Sequence, residues 1–241
     1  MNLTISEALQ LSSREMVCAV GGGGKTTLIL SLASEGQEKK HPVIVTTTTK
    51  MGLEEDRGFL TVMDEKVPST DQVVRWIGGI QGERVLGRDP KEVDVCFSDF
   101  HGWVLVEADG ARRRPIKAPA SHEPVIPSQA TLVVLNIGLD AVKRSIGEVA
   151  HRPELLAEIL EVDKESLITP QMIASLVTHD QGGRKWIPDS SRFILALTKC
   201  TEERRQDADQ IIEVLSEHEK TPEKVVLIGR PGEILDLKAL K

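Results

Sequence analysis

The run Val17-Cys18-Ala19-Val20-Gly21-Gly22-Gly23-Gly24-Lys25-Thr26-Thr27 restricts the fold of this chain more tightly than any other. An apolar segment leads into a turn made only of glycine, and Lys-Thr-Thr then opens a helical pattern. From Ala19 to Thr26 the residues fit G-x-x-x-x-G-K-[ST], with alanine at the first glycine position. Consecutive glycines let the backbone bend sharply and aim N–H groups at an anion, and the positive end of the following helix adds to the attraction. The pattern predicts a phosphate-binding loop over Gly21, Gly22, Gly23, Gly24, Lys25, Thr26 and Thr27. Lys25 reaches the β- and γ-phosphates in such a loop, and the Thr26 hydroxyl sits on Mg²⁺. The expected ligand is therefore Mg²⁺ with ATP or GTP.

A glycine run can also be a flexible linker, but the flanks point elsewhere. Met16 to Val20 is apolar, and Leu28, Ile29, Leu30, Leu32 and Ala33 supply a buried helical face. After Glu38-Lys39-Lys40 comes a second apolar segment, Val43-Ile44-Val45. This is a βαβ unit with the glycines at its first turn.

Further apolar runs fall at Trp103–Val106, Leu132–Leu135, Phe193–Leu197 and Val225–Ile228. Runs without polar alternation imply strands buried on both faces. Helical segments between them predict an α/β fold, a doubly wound, mostly parallel sheet of the P-loop NTPase type. Thr4 and Glu7 have capping-box spacing and predict a helix running through Leu9 and Leu11 that packs beside the first strand. Trp76 to Asp89 is glycine-rich and predicts a small hairpin or irregular edge. Residues 151–188 read as a helical insertion: Leu155, Leu156, Ile159 and Leu160 recur at helical spacing, and Thr169-Pro170 is an N-cap followed by proline.

With 241 residues and 40% hydrophobic content, the chain is expected to form one domain carrying that insertion. A net charge of −7 and only 3% aromatic content argue against nucleic acid and anionic membrane as partners. No apolar run approaches the ~18 residues needed to cross a bilayer, and Met1-Asn2-Leu3-Thr4 lacks a basic leader, so a cytoplasmic protein is expected. Cys18, Cys96 and Cys200 are odd in number and far apart, which predicts reduced thiols rather than disulfides or a zinc knuckle.

A second chemical cluster follows the third strong strand. Glu107 and Asp109 stand where a parallel sheet presents its carboxyl ends to a ligand. Either can hold Mg²⁺ directly or through water while the other orients an attacking water, with Glu107 ahead as the metal partner alongside Thr26. Catalysis would then rest on Lys25, Glu107 and Asp109. Arg112, Arg113, Arg114 and Lys117 follow closely, either as an anion or substrate site or as a solvated loop. Thr48 and Lys50, in the Thr46-Thr47-Thr48-Thr49-Lys50 run, are further candidates for contact with phosphate. His122-Glu123 lacks the second histidine of H-E-x-x-H, which removes a metalloprotease reading and leaves His122 as a substrate ligand or a loop residue.

Taken together, Val20 to Thr26, Thr46 to Met51, Val106 to Pro119 and His122 to Pro127 resemble the YqeC family, with Gly138-Leu139-Asp140 and His151-Arg152-Pro153 as later landmarks. The resemblance implies a bacterial maturation factor of selenium-cofactor biosynthesis, accessory to selenium-dependent molybdenum hydroxylases. Its implied partners are a selenium species or the molybdenum cofactor, together with a molybdenum hydroxylase. Thr198-Lys199-Cys200-Thr201 departs from Asn-Lys-x-Asp, which leaves the choice between ATP and GTP open. Three activities fit these residues: an NTPase, a nucleotide-switched carrier, and an NTP-dependent small-molecule kinase or ligase.

Overall fold

The computed structural model describes residues 3–52, 59–64, 67, 72–231 and 233–240; Met1 and Asn2 of the N-terminal reading lie outside them. Nine strands form the main sheet: β1 (Glu15–Gly21), β2 (Val43–Thr47), β3 (Leu60–Val62), β4 (Val74–Trp76), β5 (Trp103–Glu107), β6 (Leu132–Gly138), β7 (Arg192–Thr198), β8 (Lys224–Ile228) and β9 (Ile234–Ala239). Their spatial order is β9-β8-β7-β6-β1-β5-β2-β4-β3, and every pair is parallel except β8–β9. The fold is thus α/β with a large, mostly parallel sheet, as the unbroken apolar runs predict.

β1, β5 and β6 are buried along their whole lengths, and alternate residues serve two different cores. Met16, Cys18 and Val20 of β1 face one layer, while Val17 and Ala19 face the other. Four helices are introduced here: α1 (Ile5–Ala8), α2 (Lys25–Glu38), α3 (Pro90–Asp99) and α4 (Ile146–Val149). Leu28, Ile29, Leu32 and Ala33 of α2 cover the Val17 face together with α1. α3 covers the Met16 face, along with α5 (Pro153–Leu160), α6 (Pro170–Thr178) and α7 (Glu202–Ser216). Helices on both faces explain why the central strands carry no polar alternation.

Chain order places the ligand crevice. From β1 the chain moves outward through β2 to the edge strand β3 and turns back through β4, and β5 then returns beside β1. β6 is laid on the other side of β1, and winding continues outward from there. The direction of winding therefore reverses across β1, and open α/β sheets bind ligands at the carboxyl ends of their strands at such a point.

α4, α5 and α6 all lie between the adjacent strands β6 and β7. Thr169 caps α6 by accepting the Met172 N–H at 3.2 Å. The glycine-rich stretch after Trp76 forms an antiparallel hairpin of Gly79–Gln81 and Arg84–Leu86, and Met51–Gly52 adds a third strand to it. The first helix is shorter than its capping box suggested. It ends at Ala8, and Gln10 adopts φ 53° in the turn that follows. It shares the Val17 and Ala19 face of β1 with α2 and also packs on α2 and β9, with Glu35 of α2 accepting the Ile5 and Ser6 N–H groups at 2.8 and 2.9 Å. Among the described residues, no helix is long and apolar enough to cross a membrane.

Candidate functional site

The four glycines form the turn between β1 and α2, and three of them have positive φ: Gly21 at 90°, Gly23 at 63° and Gly24 at 107°. Close packing adds a second requirement at Gly22 and Gly23. A Cβ on Gly22 would stand 2.7 Å from the Ile116 nitrogen, and one on Gly23 would overlap the backbone of Gly138. The turn is therefore pressed between the 114–116 segment and the end of β6.

This packing sorts the loop amides. Gly21 N–H donates to Asp109 Oδ2 at 2.9 Å. Gly22 N–H donates to the Asn136 carbonyl and Gly23 N–H to the Arg114 carbonyl, both at 2.9 Å. Thr198 donates its hydroxyl to the Gly23 carbonyl. Helix geometry leaves the first-turn N–H groups of Lys25, Thr26 and Thr27 without intrahelical partners. The described residues supply none for them or for the Gly24 N–H. The amides left open are thus those of Gly24 to Thr27, which could cradle an anion, and the three preceding glycines anchor this stretch from behind.

Lys25 is buried although it is charged. Its ammonium donates to the Gly21 carbonyl at 2.7 Å and lies 3.1 Å from Asp109 Oδ1 and 3.6 Å from Glu107 Oε1. The Asp109 contact is an ion pair rather than an aligned hydrogen bond, since Oδ1 finds no hydrogen-bond donor. Burial pushes the lysine pKa down, but Asp109 and Glu107 outweigh it and hold the group above the usual lysine range. Lys25 is therefore a fixed cation at the mouth of the cradle.

The two acids divide their work. Glu107, the last residue of β5, accepts the Thr26 hydroxyl at 2.8 Å. Asp109 lies two residues beyond the strand and binds the foot of the loop through Gly21 N–H, with Lys117 3.1 Å from the same oxygen. Thr26 and Glu107 are thus the pair beside the cradle. Among the described residues, no three His, Cys, Asp or Glu side chains gather as a metal site. One hydroxyl and one carboxylate next to an anion cradle suit Mg²⁺, which takes few protein ligands and completes its shell with phosphate oxygens and water.

A chain of charge leads away from the loop. Lys117, fully enclosed, reaches Glu123 at 2.7 Å, and Arg152 reaches the same Glu123 oxygen at 2.7 Å. Burial raises the Glu123 pKa, but Lys117 and Arg152 bring it to about 2. Burial, followed by Arg152 and Lys117, lowers the His151 pKa to about 4. Arg152 immediately precedes α5, so the chain Lys25–Asp109–Lys117–Glu123–Arg152 joins the loop to the helical insertion.

The remaining candidates are placed less centrally. Arg112 and Arg113 form an exposed turn with φ of 47° and 60°, and Arg114 donates to the Glu148 carbonyl. Their turn is nevertheless tied to the loop by the Arg114 carbonyl. Thr48 donates to the Val125 carbonyl at 2.6 Å, and Lys50 contacts Gln81 at 3.1 Å. His122 is exposed, while its neighbour Glu123 is buried in the ion-pair chain. Cys18 is fully buried and its thiol is pushed well above the ordinary range, and burial lifts Cys96 to about 11. Glu123 and Arg152 fell within motifs noted in the sequence, but nothing in their spacing indicated that they would meet. Lys185 and Asn136, which line a pocket beneath the loop, carried no sequence signal.

Comparison with known proteins places this geometry in a family. No solved structure matches the chain. It is similar to "Uncharacterized protein YqeC" of Escherichia coli (strain K12), 28% identical over 141 residues, which cover 56% of this chain and 54% of that protein. The chain thus matches only about half the length of that relative. The family model described as YqeC protein matches residues 17–154, from the strand before the glycines to the start of α5. The chain therefore belongs to the YqeC family.

Proposed function

We propose that the protein binds a Mg²⁺-nucleoside triphosphate at the Gly24–Thr27 cradle and uses it, as an NTPase, in a maturation step. The observation that carries this reading is the conjunction of open first-turn amides, buried Lys25 and the Thr26–Glu107 pair at one crevice. Amides and helix dipole favour a polyphosphate, and Lys25 supplies a full positive charge that loses little to solvent. Mg²⁺, held by Thr26 and Glu107, would add charge neutralisation at the terminal phosphates. Arg112 and Arg113 stand on a turn bonded to the loop, which suits a role against charge developing on a transferred phosphoryl group. The process served rests on the family resemblance: delivery of selenium to a selenium-dependent molybdenum hydroxylase. A cytoplasmic protein fits that role.

A second reading, a nucleotide-switched carrier, is favoured by the ion-pair chain. If phosphate draws Lys25 away from Asp109, Lys117 and Glu123 must rebalance, and the change reaches Arg152 at the helical insertion. Steady-state turnover with Mg-ATP and Mg-GTP separates the two. The NTPase reading expects turnover that disappears in Lys25→Ala with the fold intact; equal turnover in that variant removes it. The carrier reading expects slow turnover with partner affinity that differs between NTP and NDP states, and equal affinities remove that one.

A further inference from the structure

Beside the glycine turn, a small pocket of about 20 Å³ is lined by Gly21, Gly22, Asp109, Lys117, Asn136 and Lys185, among others. That volume holds roughly one water-sized oxygen. It adjoins a larger cleft of about 400 Å³ bounded by Ser121, Leu155, Glu158, Ile159, His179 and Gln181. Pro119 and Lys185 line both spaces, so Lys185 stands at the junction between them. The wall of the cleft comes largely from α5 and the turn after α6, which are parts of the helical insertion.

Two groups in this place keep unused polar capacity: Asn136 Oδ1, and Lys185, which has one hydrogen bond and a ring contact with Trp186 at 4.6 Å but no carboxylate in ion-pair distance among the described residues. Asn136 is 0% exposed; its amide nitrogen donates to the Val134 and Val20 carbonyls at 3.0 and 3.4 Å, which fixes its orientation. The Asn136 Oδ1 is then an acceptor with no donor. Lys185 is 6% exposed and donates to the Ala120 carbonyl at 2.6 Å. Lys25 and Lys117, the other buried lysines of the cluster, each face carboxylates within 3.1 Å, whereas no carboxylate within ion-pair distance faces Lys185 among the described residues. An ammonium has three donors, and burying one without a counter-charge is costly. Arg152 and Lys117 add to the positive potential nearby.

We propose that the cleft at Lys185 is a second ligand site, taking a small molecule that ends in a protonated oxyanion such as hydrogenphosphate or the singly protonated form of a phosphate monoester. An anionic oxygen accepts from Lys185, and the O–H oxygen enters the inner pocket and donates to Asn136 Oδ1. The body of the molecule lies in the larger cleft against Leu155 and Ile159. This inference goes beyond the nucleotide reading and uses none of the amides of the Gly24–Thr27 cradle. It gives the protein a place for a second small molecule beside the loop and explains why the helical insertion closes on the loop there.

The probe is inorganic phosphate, titrated calorimetrically into the full chain at pH 7 with Mg-ADP present, with sulfate, which carries no proton at that pH, in parallel. The expected result is saturable phosphate binding, tighter than sulfate, that persists in Lys25→Ala and weakens at least tenfold in Lys185→Gln. Ser121→Phe, at an exposed position on the cleft mouth, must weaken it similarly, which keeps the test valid should Lys185→Gln not fold. Binding that is lost in Lys25→Ala but intact in Lys185→Gln belongs to the loop and overturns the second site without touching the nucleotide reading. The absence of saturable binding in wild type also overturns it and leaves the pocket to a structural water. Loss of Mg-nucleotide binding with the phosphate response retained has the opposite meaning.

Discussion

Thr26 donates its hydroxyl to Glu107 across 2.8 Å, linking the first turn of α2 to the end of the strand beside it. The contact sets a hydroxyl and a carboxylate next to the open amides without help from any further acid. Glu107→Gln keeps the shape and removes the charge. The expected outcome is a Mg²⁺-dependent component of nucleotide affinity reduced by about tenfold, ~1.4 kcal/mol, while Mg²⁺-free affinity is not lowered, since a carboxylate beside the anion is removed. Calorimetry with and without Mg²⁺ checks it.

Asp109 serves the loop rather than the metal side. Asp109→Asn removes the carboxylate that Lys25 and Lys117 share and leaves Lys25 to Glu107 and Lys117 to Glu123. Unfolding in urea should show a loss of about 1–3 kcal/mol, the range for losing a buried charged partner that is only partly compensated. A loss below about 1 kcal/mol would mean that the lysines find other partners.

Gly23 has φ 63° and no space for a Cβ, whereas Gly110 has nothing within 4 Å of the equivalent position. Gly23→Ala is expected to destabilise by about 2 kcal/mol or more, and Gly110→Ala to stay within about 0.5 kcal/mol. Thermal unfolding of the two variants side by side measures the difference.

Acid should weaken the fold in two stages. The His151 pKa falls to about 4 from an ordinary 6.5, so the unfolded chain takes up its proton first and stability drops as pH falls from 6.5 towards 4. The Glu123 pKa lies at about 2 against an ordinary 4.5, so its contribution is complete above 4.5 and is lost as pH falls towards 2. Urea midpoints across pH 2–8 should show both slopes, and His151→Gln should flatten only the upper one.

The sheet was legible because central parallel strands need apolar residues on both faces, as β1, β5 and β6 have. The glycine turn was legible because its conformation and its packing both exclude side chains. The role of Asp109 at the foot of the loop was not. β5 ends at Glu107, so the two-residue alternation that would set both acids on one face no longer applies at Asp109. The ion-pair chain was also hidden. Lys117, Glu123 and Arg152 meet through the path of loops and not through any local period. α1 stopped early because the chain turns at Leu9 and Gln10, where Gln10 adopts φ 53°, a turn that the capping box and apolar spacing did not signal.

Titration calorimetry of Mg-ATP and Mg-GTP into wild type and Lys25→Ala tests the central claim most directly. Lys25 is a full charge buried at the cradle mouth, and charged hydrogen bonds of this kind are worth ~2 kcal/mol. Wild type is predicted to bind at least one of the two nucleotides saturably, and folded Lys25→Ala to bind it about 30-fold more weakly. Wild type that binds neither nucleotide, or a folded variant that binds as tightly as wild type, would contradict the account.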